Sequence, residues 1–141
     1  MSNSDTILDA VGFVLCVLAL GTVLTCRPPV AFVLEAKEYP KMDCRQVFLL
    51  VGLFVLLNLY DLVCTLYARA GRGLWEMNPL VATFLDVPAM IVCFKLGLTV
   101  CPAMLLIVAR HSRLAQMVSW WLVVLYTVLI LRWITYNGLL I

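Results

Sequence analysis

Residues 45–68 read RQVFLLVGLFVLLNLYDLVCTLYA, an apolar run that contains one acidic residue, Asp61. A helix needs about 20 predominantly apolar residues to cross the hydrocarbon core of a bilayer, and this run supplies them. An ionised side chain inside such a helix is costly unless it faces a partner within the protein. The stretch therefore predicts a transmembrane helix and directs attention to the charges on the other helices.

The composition places the whole chain in the membrane class. Of its 141 residues, 65% are hydrophobic and 13% are charged, whereas soluble domains are about half apolar and about a quarter charged. A soluble core of this size would not bury so much apolar surface. The ten basic and eight acidic residues form no basic tail or stripe, so the sequence does not favour nucleic-acid binding.

Three further stretches are long and apolar enough to span a bilayer, at about residues 7–26, 88–109 and 114–141. We therefore predict an all-α, polytopic membrane protein. It folds as a bundle of four transmembrane helices in a single domain, residues 1–141.

The segments between these spans predict shorter elements. Residues 30–44 alternate apolar and charged side chains, which is typical of a short amphipathic segment at the membrane interface. The Asn-Pro pair at residues 78–79 predicts the start of a short helix before the third span. Asp43, with Gln46 three residues later, and Ser112 are the predicted N-caps of the second and fourth spans.

Basic residues favour one orientation in the membrane. The loop after the first span and the turn after the third span contain Arg27, Lys37, Lys41, Arg45, Arg110 and Arg113. The opposite side contains Arg69 and Arg72. Because short loops rich in Lys and Arg remain in the cytoplasm, we predict a multi-pass protein of the cell inner membrane with both termini on the non-cytoplasmic side.

Three charged residues of different spans are predicted at one depth. Asp61 and Arg132 precede the ends of the second and fourth spans, while Lys95 follows the start of the third. At 1.5 Å per residue, each lies roughly 10 to 13 Å below the outer boundary. Mutual pairing removes most of the cost of burying them, so we expect these side chains to meet inside the bundle.

Polar residues at helical spacing extend this candidate site. Residues 58, 61 and 65 share one helix face, as do residues 95 and 99, and two outer-loop residues can reach toward them. The predicted intramembrane polar cluster, in the outer half of the bilayer, comprises Asn58, Asp61, Thr65, Glu76, Asn78, Lys95, Thr99, Arg132 and Tyr136.

The order of these residues resembles a known pattern. The elements D-x3-T at residues 61–65, G-x2-E-x-N-P at residues 73–79, and Lys95 resemble a family of small bacterial multi-span membrane proteins catalogued as a domain of unknown function. The resemblance covers residues 46–141, a three-span core. Residues 1–45 then add an N-terminal span and an amphipathic cytoplasmic loop. The resemblance implies a membrane bundle and brings no known reaction.

The charged cluster admits two interpretations. It is either an ion-pair network that fixes helix packing, or a proton relay or ligand-binding site. We therefore predict a structural or accessory subunit, or a binding module, of a membrane complex. The alternative is a small proton- or ion-coupled transporter that acts as an oligomer. The predicted partners are membrane lipids and other membrane subunits or a second copy of the chain.

Catalysis is the least favoured function. No serine–histidine pair falls at a matching depth, and the H-E-x-x-H, G-x-S-x-G and P-loop patterns are absent. We predict no catalytic residue, no cofactor and no metal site. The six cysteines form no C-x-x-C pair and are interpreted as small hydrophobic residues, while His111 is expected to be solvated. Gly97 is expected to permit a close helix contact.

Overall fold

Four α-helices make up the part of the chain that the computed structural model describes, residues 3–26, 43–72 and 88–139. They are α1 Asn3–Thr25, α2 Cys44–Arg72, α3 Pro88–Val108 and α4 Arg113–Leu139. Each contains a stretch long and apolar enough to cross a membrane: Thr6–Thr25, Cys44–Ala68, Ala89–Val108 and Arg113–Thr135. The predicted all-α fold with four spans is confirmed.

Two predicted elements lie outside the described residues. These are the short helix before the third span and all but the last two residues of the amphipathic segment at residues 30–44. The orientation of the bundle in its membrane stays a prediction.

Polar residues at the helix starts explain where α2 and α4 begin. The Asp43 backbone N–H donates to Gln46 Oε1 at 3.2 Å, and the Gln46 N–H donates to the Asp43 carbonyl at 2.9 Å. Ser112 Oγ accepts from the Ala115 N–H at 3.1 Å. These bonds satisfy backbone groups that have no partner within a helix, and they match the two predicted start sites.

Helix α2 occupies the centre of the bundle. It contacts α1, α3 and α4, whereas α1 and α3 share no contact among the described residues. Phe54 and Leu57 of α2 pack with Val123 and Ile130 of α4 in the buried core. The Phe54 ring meets Tyr126 edge to face, with centroids 5.4 Å apart. In a membrane such close van der Waals packing is a main source of helix association.

Buried polar side chains in the core bond to their own helices. Asn58 Nδ2 donates to the Phe54 carbonyl at 3.0 Å, and Thr127 Oγ1 donates to the Val123 carbonyl at 2.7 Å. An unsatisfied polar group costs several kcal/mol where water is absent. These bonds let the bundle bury hydroxyl and amide groups without requiring a partner helix.

Two aromatic donors hold α1 against the rest of the bundle. The Tyr60 hydroxyl of α2 donates to the Leu8 carbonyl at 2.9 Å, and Trp120 Nε1 of α4 donates to the Val23 carbonyl at 3.0 Å. The two bonds lie near opposite ends of α1. They therefore fix both the position and the register of the first helix.

A glycine makes the contact between Tyr60 and α1 possible. A Cβ atom at Gly12 would meet the hydroxyl and Cζ of Tyr60, so only glycine leaves room for this ring. A Cβ at Gly97 would have no described heavy atom within 4 Å beyond the adjoining backbone of its own helix and its chain neighbours, and Gly97 is exposed. Gly97 therefore makes no close contact with another described helix of this chain, because it lies on the outward face of α3.

Candidate functional site

An ion pair joins the second and third helices inside their membrane spans. Lys95 Nζ of α3 lies 2.6 Å from Asp61 Oδ2 of α2. A charge-assisted hydrogen bond of this length is among the strongest polar contacts available to a protein. Two of the three charges predicted at a common depth therefore meet.

The same turn of α2 engages the other donors of Lys95. The ammonium group lies 2.7 Å from Thr65 Oγ1 and 3.5 Å from the Asp61 carbonyl oxygen. The Thr65 hydroxyl itself donates to the Asp61 carbonyl at 2.8 Å, which turns its lone pairs toward Lys95. An ammonium group has three N–H donors, so α2 offers an acceptor for each of them.

Two other predicted members lie near the pair without touching the ammonium group in the described structure. Thr99 is buried on α3 and donates to the Lys95 carbonyl at 2.8 Å. Asn58 is buried one turn before Asp61, but its side chain lies beside Tyr126 of α4. Thr99 therefore supports the backbone at Lys95, while Asn58 belongs to the α2–α4 contact.

Arg132 does not join the ion pair in the described part of the chain. A Cβ at Gly12 would meet both Tyr60 and Ile134, so the end of α4 lies level with the Asp61 turn. Arg132 nevertheless is exposed on the outside of α4 and forms no ion pair with a described residue. Among the described residues the expected three-charge cluster is therefore a pair, because Arg132 lies on the side of α4 opposite the buried Val123, Thr127 and Ile130.

The remaining predicted members are not described. Glu76 and Asn78 lie outside the described residues, as does the Tyr136 side chain. Among the residues that were described, no group of three or more His, Cys, Asp or Glu residues lies close enough to hold a metal ion.

The ion pair is enclosed without being sealed. The Asp61 side chain is 13% exposed and the Lys95 side chain 27% exposed. Asp61 Oδ2 faces Lys95, whereas Oδ1 accepts no hydrogen bond from a described donor. The arrangement can hold α3 on α2, and within the described residues it leaves one carboxylate oxygen without a donor.

Sequence reasoning missed two pairings between distant residues. The Tyr60 hydroxyl reaches α1, although Tyr60 appears in the sequence as one more apolar residue of its span. The Cys44 thiol meets the His111 imidazole where α2 begins and α3 has ended. The sequence offered one signal for the second pairing: Cys44 and His111 both flank spans on the same predicted side of the membrane.

Comparison with known proteins gives a family but no activity. A family model described as "Domain of unknown function (DUF5658)" matches residues 52–138, more than half of the chain. The match spans Asp61, Thr65 and Lys95 and confirms the predicted likeness to a domain of unknown function, whereas α1 lies outside it. That these residues form a pattern of the family stays a prediction. Neither a curated protein nor a solved structure matches the chain. The division of the chain at residue 45 stays a prediction.

Proposed function

Since the chain belongs to the DUF5658 family of domains of unknown function, we propose from the geometry of its ion pair that it is a non-catalytic subunit or binding module of a membrane complex. One observation carries this proposal: the Lys95 ammonium group has an acceptor on α2 for each of its donors. A cation engaged in this way is suited to fixing a helix in place rather than to capturing a ligand.

The energetics of the membrane favour such a structural role. An unpaired Asp or Lys near the middle of a span costs about 2.5 to 3.5 kcal/mol on insertion scales. Breaking a buried pair strands the remaining partner, whereas replacing both members is often tolerated. The pair therefore makes one register of α3 on α2 more favourable than its neighbours.

The outward faces of α1 and α3 suit lipid or other membrane subunits. Both helices expose large apolar side chains, among them Phe13, Leu24, Phe94 and Leu105. Membrane lipids, other subunits or a second copy of the chain are the proposed occupants of these faces. We place the complex in the cell inner membrane.

A second function, proton- or ion-coupled transport, is favoured by the unsealed carboxylate. Asp61 Oδ1 accepts no hydrogen bond from a described donor, and the Lys95 side chain keeps 27% of its surface exposed. A proton or a cation that reached Asp61 would compete with Lys95 for the carboxylate. Four helices offer little room for a path, so this function would require an oligomer.

Purification in mild detergent followed by native mass spectrometry tests the subunit proposal. We expect the wild-type chain to be recovered with other membrane subunits or with a second copy in fixed stoichiometry. A chain recovered alone at every detergent concentration would count against it.

Flux measurements distinguish the transport alternative. In proteoliposomes, a transporter would move protons or cations, and Asp61→Asn would abolish this flux while the protein still inserted and folded. Arg132→Met is the matched control, because Arg132 is a cation of the same bundle that lies outside the ion pair. Under the subunit proposal, neither the wild-type chain nor Arg132→Met produces flux above empty vesicles.

A further inference from the structure

A cysteine and a histidine meet at the end of the bundle opposite the Asp61–Lys95 pair. Cys44 is the first residue of α2, and His111 lies in the turn between α3 and α4. Their side chains approach to 3.7 Å between Sγ and Nδ1. Cys44 is half-buried and His111 is exposed, so the pair lies at the surface of this end.

The chemistry of this pair is that of an assisted nucleophile. A thiol within reach of an imidazole can lose its proton as its sulfur attacks an electrophile, which is the general signature of cysteine nucleophiles. The position of Cys44 at the start of a 29-residue helix adds the positive end of the helix dipole. The Arg110 guanidinium lies over the Phe48 ring, 5.8 Å from its centroid, and Phe48 follows Cys44 by one turn of α2.

The other cysteines are placed less favourably for reagents dissolved in water. Three of them are buried, and Cys93 and Cys101 are exposed on the apolar stretch Ala89–Val108, which is long and apolar enough to cross a membrane. Cys44 instead is the first residue of α2 and lies between the charged residues Asp43 and Arg45. Cys44 thus differs from the other five thiols in lying between charged residues at a helix start, beside an exposed imidazole.

We propose that Cys44 is a modification site for small anionic disulfides, with His111 as the base. His111 takes the thiol proton as Cys44 Sγ attacks one sulfur of the disulfide. A bond forms between Sγ and that sulfur, the original S–S bond breaks, and the leaving thiolate receives the proton from His111. This exchange creates no oxyanion, so a thiol and an adjacent base are sufficient for it. Arg45 and Arg110, which adjoin Cys44 and His111 in the sequence, attract an anionic reagent.

Labelling with DTNB, a dianionic aromatic disulfide, tests the proposal on the full chain in detergent micelles. We expect one thiol to react in a fast phase, and intact-mass analysis to locate the mixed disulfide on Cys44. Cys44→Ser should remove the fast phase. Cys93→Ser, which removes an exposed thiol within a span, should leave it unchanged.

The role of His111 has its own readout. His111→Gln should slow the fast phase by at least about tenfold near neutral pH. The difference should shrink toward about pH 10, where a thiol ionises without help from a base. The proposal is overturned if the fast phase survives Cys44→Ser, or if His111→Gln leaves its rate unchanged. An equal slowing at every pH would also contradict it, since that pattern indicates a structural effect of the imidazole.

Discussion

Thr65 has two functions at the ion pair, and they distinguish it from the other threonine near Lys95. Its hydroxyl accepts from Lys95 Nζ at 2.7 Å while donating to the Asp61 carbonyl at 2.8 Å. The Thr99 hydroxyl bonds only to the Lys95 carbonyl of its own helix among the described residues. The two residues are thus matched in chemistry and differ in whether they touch the charge.

We expect Thr65→Val to cost more stability than Thr99→Val. Loss of a hydrogen bond to a charged group costs about 1.5 to 3 kcal/mol. Loss of the Thr99 hydroxyl leaves the Lys95 carbonyl with its helical partner and should cost less than about 1 kcal/mol. Unfolding of the purified variants in detergent measures the difference. Equal losses would show that Thr65 does not act through Lys95.

The ion pair itself is tested by removing one member and then both. We expect Asp61→Asn to lower the free energy of unfolding by about 3 kcal/mol, because it strands Lys95 in the bundle. The double variant Asp61→Asn/Lys95→Met should lose less than the sum of the two single variants. Arg132→Met, outside the pair, should stay within about 0.5 kcal/mol of the wild type. A double variant no better tolerated than that sum would refute the pairing.

At the scale of helices, the close packing of α1 against α2 requires a residue without a side chain at position 12. Gly12 leaves the space that the Tyr60 ring occupies, and Tyr60 in turn reaches the Leu8 carbonyl. The acceptor on α1 is a backbone carbonyl, so the hydrogen bond does not depend on the identity of any α1 side chain. The contact therefore depends on shape at residue 12 rather than on its chemistry.

We expect Gly12→Ala to destabilise the bundle by about 1 to 3 kcal/mol, the usual cost of overpacking. Gly21→Ala is its matched control on the same helix, since a Cβ placed there would meet no described atom within 4 Å beyond its chain neighbours and the adjoining backbone of α1. It should be neutral or stabilise by up to about 1 kcal/mol through helix propensity. Thermal unfolding of both variants in one detergent measures this, and a similar loss in each would exclude the proposed steric cause.

The positions of the helices along the chain can be predicted from the sequence, but the face that each helix turns toward its neighbours cannot. Span length, the Asp43–Gln46 start and the Ser112 start are local properties, so they are readable without tertiary contacts. The common level of Asp61 and Lys95 also follows, because rise per residue is constant, and the two side chains meet. The direction of Arg132 depends on which face of α4 packs best against α2. A single charge in an otherwise apolar helix does not determine that face.

At the scale of the molecule, α2 separates two helices that do not touch. Helix α1 rests on α2 and α4, and α3 rests on α2 and α4, while α1 and α3 share no contact among the described residues. Changes at the α1–α2 contact and at the α2–α3 ion pair therefore have few shared neighbours.

This arrangement predicts independent loosening of the two outer helices. Gly12→Ala should speed backbone hydrogen exchange in α1, and Lys95→Met should speed it in α3, with little effect of each on the other helix. Their effects on the free energy of unfolding should add to within about 0.5 kcal/mol. Hydrogen-exchange mass spectrometry in detergent measures both. Uniform exchange across all helices in either variant would instead indicate that the bundle unfolds as one unit.

The Tyr60 hydroxyl gives the first helix an importance that its position outside the matched family segment does not suggest. Deletion of the residues before Asp43 would remove the Leu8 carbonyl that accepts the Tyr60 hydrogen bond. The Tyr60 hydroxyl would then face lipid tails without an acceptor. The shortened chain would then need Phe at position 60, or another molecule to offer an oxygen at that height. A shortened bundle without α1 therefore also needs a substitution in α2, at Tyr60.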